Sequence, residues 1–270
     1  MKYKSKLIKE FFEKGKVEDC PIIDMHGHMG PFYGANYSYN TPEKMVNEMD
    51  RVGVKMLVFC HHGTLMSPDI GNAPSIEAVR KFPNRLRAYC GVNPHFSDVV
   101  KKEIKSFKKY SDVYVGFKFL PPYQEASLLH EGYKPVLEFA DDNELLILTH
   151  TWGYRDNCGP KPVRKLLEKY HKIKLLIGHS FHDEWDAAIE IAKDFKNVYL
   201  ELTAVLDNRG VLESFVENVG SQRIVFGTDY PWFDHHYYIG SVLGADITDE
   251  DRKNILYRNA EKLLKPFIKK

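Results

Sequence analysis

Short apolar runs recur along this chain at nearly even spacing, and most of them end in a polar or titratable residue. The ends fall near residues 28, 61, 93, 120, 150, 179, 203 and 229, about 24 to 33 residues apart, the length of one strand, one helix and short loops. The runs cover about residues 21–28, 55–61, 85–93, 113–120, 144–150, 173–179, 198–203 and 223–229. Several, such as Leu145 to Leu148 and Leu175 to Ile177, are apolar without alternation, as parallel strands covered on both faces should be. Eight such units close a cylinder. The predicted fold class is therefore α/β, a (β/α)8 TIM barrel forming a single domain over residues 1–270, with a short N-terminal helix that carries Leu7, Ile8, Phe11 and Phe12. A doubly wound open sheet is the competing architecture, but the sequence has no glycine-rich phosphate turn or switch-point signature.

Helical patterns sit between most of the runs. Thr41 with Pro42 opens a helix whose Met45, Met49 and Val52 share a face, and Gly53 stops it. Residues 162–170 repeat the logic with Val163, Leu166, Leu167 and Tyr170, and Trp185, Ile189 and Ala192 mark another apolar face. Val211, Leu212, Phe215, Val216 and Val219 mark a further one, and Thr248 to Asp251 reads as a capping box before a last helix. At 270 residues and 43% hydrophobic, the chain suffices for one large core. With 38 Lys plus Arg against 37 Asp plus Glu, it has no overall field to draw in nucleic acid or an anionic membrane. No run has the length of a signal-peptide core or a membrane span, so a soluble cytoplasmic protein is expected. Cys20, Cys60, Cys90 and Cys158 form no C-x-x-C pair. The first three read as small buried hydrophobes, whereas Cys158, in a loop with Trp152, Tyr154 and Arg155, is a candidate pocket residue.

In a barrel of this kind chemistry sits where the strands point, at their C-terminal ends. There the first run presents His26 and His28, two apart and hence on one strand face, a pair able to share a divalent cation. The same rim receives Lys118 from the fourth run, His150 from the fifth, His179 from the sixth and Asp229 from the eighth. A histidine at a strand end is often only a hydrogen-bonded rim residue, so the weight lies in the constellation rather than in any one member.

The set Asp24-Met25-His26-Gly27-His28, Gly116-Phe117-Lys118, Thr149-His150-Thr151, Ile177-Gly178-His179, Phe226-Gly227-Thr228-Asp229-Tyr230-Pro231-Trp232 and Asn259-Ala260 with Leu263-Leu264 resembles the amidohydrolase superfamily. Within it, the resemblance is to the branch of metal-dependent hydrolases and decarboxylases related to aminocarboxymuconate semialdehyde decarboxylase. It implies that His26, His28, His150 and Asp229 ligate one divalent ion of the Zn2+ type, with Asp229 and His179 as the catalytic acid/base groups. Three imidazoles and a carboxylate suit such a site, because they leave a position open for water or substrate. If Lys118 is carboxylated, as in some relatives, a second metal follows and His179 becomes its ligand; the mononuclear form is favoured, with Lys118 pairing a substrate carboxylate. The lysine also argues against a deoxyribonuclease branch with the same opening, whose fourth strand carries a glutamate. Relatives are often dimers, which makes a homodimer one expectation, although no interface is readable in the sequence.

Other polar residues read more plainly. Asp24 orients a ligand imidazole or a backbone turn, and Asn259 caps or braces the last helix. His61, His62 and His95 read as rim or substrate contacts, His235 and His236 as pocket or solvent residues, and His130, His171 and His182 as surface. The loops after the strands supply Phe32, Tyr33, Tyr37, Tyr39, Pro121, Pro122, Tyr123, Trp152, Tyr154, Trp232 and Phe233, an aromatic rim that either packs loops or walls a pocket. With Lys118 and Arg155 as anion anchors beside Trp152 and Tyr154, a small carboxylated or cyclic substrate is expected. Hydrolysis of a C–O or C–N bond in a lactone, ester or amide leads. Decarboxylation of an aromatic or unsaturated acid is the alternative, and a non-catalytic binding barrel is the reading from another class.

Overall fold

The computed structural model describes residues 5–32, 34–37, 40–67 and 70–268. Its strands are β1 (Ile22–Met29), β2 (Val54–His61), β3 (Leu86–Gly91), β4 (Tyr114–Phe119), β5 (Leu146–His150), β6 (Lys174–Gly178), β7 (Val198–Glu201) and β8 (Ile224–Val225). They lie in sequential order, each parallel to the next. The circle closes where β8 meets β1: Met25 N–H donates to the Phe226 carbonyl at 2.9 Å and His28 N–H to the Tyr230 carbonyl at 2.5 Å. Helices interleave throughout, so the architecture is the (β/α)8 barrel, with the helix Lys6–Lys14 in front of it. β8 is shorter than its apolar run because Phe226 N–H turns away from the β7 ladder to the Ile255 carbonyl, 3.1 Å away.

Local chemistry explains the boundaries. Ser5 caps the first helix, accepting from Ile8 N–H, and Gly15 ends it at φ +74°. Thr41 caps Pro42–Val52, which Gly53 ends at φ +82°. Thr248 and Asp251 form the reciprocal capping box of the last helical stretch. The helix expected at 162–170 instead spans Pro160–Leu167, where Gly159 precedes a proline suited to the first turn. Asn259 braces rather than caps: its amide donates to the carbonyls of Ser221 and Ile224, both at 2.7 Å, beneath β8. No helix among the described residues is long and apolar enough to cross a membrane.

Alternation along the strands separates two cores. Leu57, Phe59, Ile147, Leu175, Ile177 and Phe226 pack outward under the helices, while Met56, Val58, Cys60, Leu146, Leu148, Leu176 and Val225 fill the barrel. Carried upward, the inward parity reaches His150 on β5, Glu201 on β7 and Asp229 after β8. An apolar plug thus gives way to a polar layer at the C-terminal mouth. In β1 the parity changes. Ile23 and Met25 belong to the inner core, yet His26 and His28 also face inward. The ladder with β2 slips between Asp24 and Gly27, and such a bulge re-aims a side chain without ending the strand.

Candidate metal centre and its cavity

The polar layer is built around Asp229. Its Oδ1 lies 3.1 Å from His26 Nε2 and 3.0 Å from His28 Nε2. Both are ion-pair distances, and Oδ1 has no further hydrogen-bond partner among the described residues. Both rings are anchored from behind. His26 Nδ1 stands 3.0 Å from Glu201 Oε2, and His28 Nδ1 stands 3.2 Å from the Cys60 carbonyl. Acceptors at both Nδ1 positions place the ring protons there and turn the Nε2 atoms toward Asp229. His179 Nε2 and His150 Nδ1 are 3.0 Å apart, with His179 Nδ1 buried and unpartnered. Among the described residues, His26, His179 and Asp229 form a compact donor group, one ligating atom of each lying within 4.8 Å of the others. His28 joins this group through Asp229, and His150 joins it through His179.

Burial sets the protonation of the rings. It is the main cause that pushes His28 and His179 well below the usual imidazole range and His150 down to about 3, helped by His62 beside His28, by Lys118 beside His150 and by His150 beside His179. His26 moves the other way: burial and Lys118 lower it, but the carboxylates of Asp229 and Glu201 raise it more. Burial also works against the charge on Asp229, and the His26 and His28 rings outweigh it, holding the carboxyl well below its usual range. Lys118 is fully buried and lowered by that burial, with Nζ 2.7 Å from His26 Nε2. It therefore stands in the floor against the very atom that faces Asp229. The donor set fits a divalent cation: imidazoles, most of them held neutral, and one carboxylate with an orphaned oxygen converge in a largely buried site.

Above the cluster lies a cavity of about 180 Å3 walled by Phe32, Leu120, Tyr123, Trp152, Trp232 and Phe233, with His28, His62, His150, His179 and Asp229 at its base. His62 stacks on His28 at 4.4 Å and accepts from the Trp232 indole N–H at 3.0 Å, while its Nδ1 stands 2.9 Å from the Gly30 carbonyl. It is thus fully engaged as part of the wall. Trp152 is sandwiched between His150 and His182, rings nearly parallel at 5.8 and 4.3 Å. His182 was expected on the surface; half-buried, it instead supports that wall.

Several expected pocket residues lie elsewhere. Tyr154 is 79% exposed and does not line the cavity. Arg155 is exposed and borders an adjoining outer hollow that shares Tyr123, His150 and Trp152 with the inner one. Cys158 is buried away from both, its thiol pushed up to about 11 by that burial. Tyr37 packs on Trp232 at the rim, whereas Tyr33 and Tyr39 lie outside the described residues. Asp24 orients a turn, accepting from His26 N–H at 2.9 Å and Thr228 Oγ1 at 2.5 Å, and the imidazole it meets is the buried His235 rather than a member of the cluster.

A family model described as amidohydrolase matches residues 23–265. The chain belongs to the amidohydrolase family. Its members are metal-dependent enzymes. No curated protein matches this amidohydrolase significantly by sequence. Solved structures similar to it include an uncharacterised TIM-barrel protein from Bordetella bronchiseptica, 18% identical, covering 91% of this chain and 99% of that one with a TM-score of 0.74. A 5-carboxyvanillate decarboxylase from Novosphingobium aromaticivorans, complexed with manganese and a nitrobenzoic acid, is 14% identical, with coverage of 92% and 97% and a TM-score of 0.70. A probable 2-pyrone-4,6-dicarboxylic acid hydrolase from Acinetobacter baumannii is 15% identical, with coverage of 91% and 99% and a TM-score of 0.67.

One buried charged residue of the polar layer is missing from the sequence expectations. Glu201 closes β7 and is fully buried against His26. The signal was present, since a carboxylate ending an apolar run at the barrel mouth is as unusual as the histidines that were singled out.

Proposed function

We propose that this amidohydrolase is a metal-dependent hydrolase that cleaves a C–O or C–N bond in a small, single-ring lactone, ester or amide. The observation that carries the reading is the convergence of Asp229 and the His26 and His28 Nε2 atoms at the floor of a ring-sized aromatic cavity. A cavity of about 150 Å3 lined by apolar side chains takes up benzene, so 180 Å3 suits one six-membered ring. A divalent ion held by His26, His28, His150 and Asp229 would polarise the scissile carbonyl and activate water. Either zinc or manganese satisfies this mixed nitrogen and oxygen set.

The side chains divide the remaining work. Asp229, charged and with a free lone pair on Oδ1, accepts a proton from water and passes it to the leaving group. With the shared proton on His150 Nδ1, His179 Nε2 accepts and its Nδ1–H, without a partner among the described residues, is a donor for the oxygen that gains charge. Tyr123, Trp152 and Trp232 exclude water and hold the ring by its faces. Arg155, at the outer hollow, meets an anionic substituent that projects past Trp152. Lys118 holds the floor by its contact with His26 Nε2.

Decarboxylation of an aromatic acid is the second reading, and the wall favours it: a carboxylate enclosed by Phe32, Tyr123 and Trp232 loses hydration, which promotes release of CO2. Metal-loaded protein offered panels of single-ring lactones and aryl carboxylates separates the two. Ring opening is expected; CO2 release without ring opening replaces the first reading by the second. Asp229→Asn should lower turnover by on the order of 10²- to 10⁴-fold with circular dichroism unchanged, and undiminished activity would remove Asp229 from its role.

A further inference from the structure

We propose that Glu201 is a positioning residue for the metal centre, one carboxylate that fixes the His26 ring and the turn bearing His179 together. The inference rests on the functional reading above, in which His26 holds an ion. One oxygen, Oε2, accepts both from His26 Nδ1 and from the His179 backbone N–H, each at 3.0 Å. The other, Oε1, accepts from Thr203 N–H at 2.8 Å and Thr203 Oγ1 at 2.5 Å. The carboxylate is thus held from β7 and reaches both β1 and the end of β6.

Each contact does something a packing residue would not. An imidazole has two tautomers, and only the one with its proton on Nδ1 leaves the Nε2 lone pair facing Asp229. An acceptor at Nδ1 selects that tautomer and makes Nε2 a better donor to a cation. The second contact acts on backbone. By strand parity His179 should point outward from β6, since Leu176 faces in and Ile177 faces out. It turns into the barrel because His179, Ser180 and Phe181 all adopt positive φ, at +66°, +44° and +55°. Such conformations are strained for non-glycine residues and persist only where surrounding bonds impose them. Glu201 supplies two of those bonds, through Oε2 to His179 N–H and through its own carbonyl to Ser180 Oγ at 2.8 Å.

The neighbouring strand is shaped to admit this carboxylate. A Cβ at Gly227 would lie 2.0 Å from Glu201 Oε1 and 2.9 Å from His26 Cβ, so only glycine lets the two residues meet there. Taking a carboxylate out of water is costly unless charge and hydrogen bonds compensate it, and Lys118 and His26, the positive groups that couple to Glu201, belong to the centre itself.

Glu201→Gln tests the inference while nearly preserving shape. Both oxygens face only donors, so the amide NH2 meets a donor whichever way it turns. Affinities for Zn2+ and Mn2+, measured by competition with a chromophoric chelator, should fall about 10- to 100-fold in the variant. In zinc-loaded wild type, the hydrogen-bonded His26 Nδ1 proton should give a downfield NMR resonance, assigned by its absence in His26→Gln, and Glu201→Gln should move it upfield. Metal affinities within about threefold of wild type would overturn the inference and leave the functional reading standing. A His26 ring protonated at Nε2 in the wild type would do the same, and this measurement decides even if the variant fails to fold. A wild type that takes up neither metal overturns both.

Discussion

An imidazole serves a cation only while it is unprotonated, and in this chain burial secures that state for His28, His150 and His179. The same physics acts on the thiols with the opposite chemical consequence. Burial pushes Cys20 and Cys60 up to about 12 and Cys158 to about 11, and raises Cys90 well above its ordinary value. A thiolate predominates only above its pKa, so at pH 8 roughly one Cys158 in a thousand would be ionised even if a reagent could reach it. Native protein should therefore show less than one reactive thiol against an aromatic disulfide reagent at pH 8, and all four after denaturation. Rapid reaction of one thiol in the folded state, mapped to Cys158 by peptide mass, would show that Cys158 opens to a pocket. Residue identity did not disclose this: Cys158 stands in a loop with Trp152, Tyr154 and Arg155, and only the fold shows that its side chain turns inward while Tyr154 turns out.

At the scale of elements, what the chain declared most clearly was strand position, because an apolar run that ends in histidine or aspartate marks both a strand and its C-terminal mouth. His26, His28, His150 and Asp229 were legible for that reason. Orientation was less so. His179 sits on the wrong parity and is rescued by a left-handed turn, and the β1 bulge lets Met25 and His26 face the same interior; neither irregularity has a period to detect. Glu201 was passed over because its partners come from β1 and β6, far away in sequence. Close strand approach yields a prediction of the same scale. At Gly116 on β4 an added Cβ would lie 1.8 Å from the Leu146 carbonyl oxygen of β5, a backbone atom that cannot rotate aside. Gly116→Ala should destabilise the fold by about 1–3 kcal/mol in urea titration. An unchanged midpoint would mean that β4 and β5 pack less tightly than the ladder indicates.

Taken as a whole, the molecule places its least favourable burial at one end. The apolar interior is closed by side chains, whereas the layer at its mouth buries Glu201, Lys118, His26, His28 and His179 and half-buries Asp229 and His150. Buried charges that are imperfectly compensated cost stability, and here the carboxylate oxygen without a partner belongs to the same cluster. A divalent ion would be the counterweight, and its effect would reach across the barrel because the donor group of His26, His179 and Asp229 comes from β1, the end of β6 and the turn after β8. A ligand that binds only the folded state stabilises it by about 2.7 kcal/mol at a hundred times its dissociation constant. Saturating Zn2+ or Mn2+ should therefore raise the unfolding temperature by several degrees, since about 1 kcal/mol corresponds to 2–4 °C in a chain of this length. Chelation should reverse the rise along with activity. His28→Gln should lose most of the rise while keeping the metal-free midpoint near that of wild type, because removing one ring weakens the ion's hold without opening the barrel. A metal-induced rise equally large in His28→Gln would place the ion away from this cluster, and no rise in the wild type would leave its buried carboxylates to be balanced by Lys118 and His26 alone.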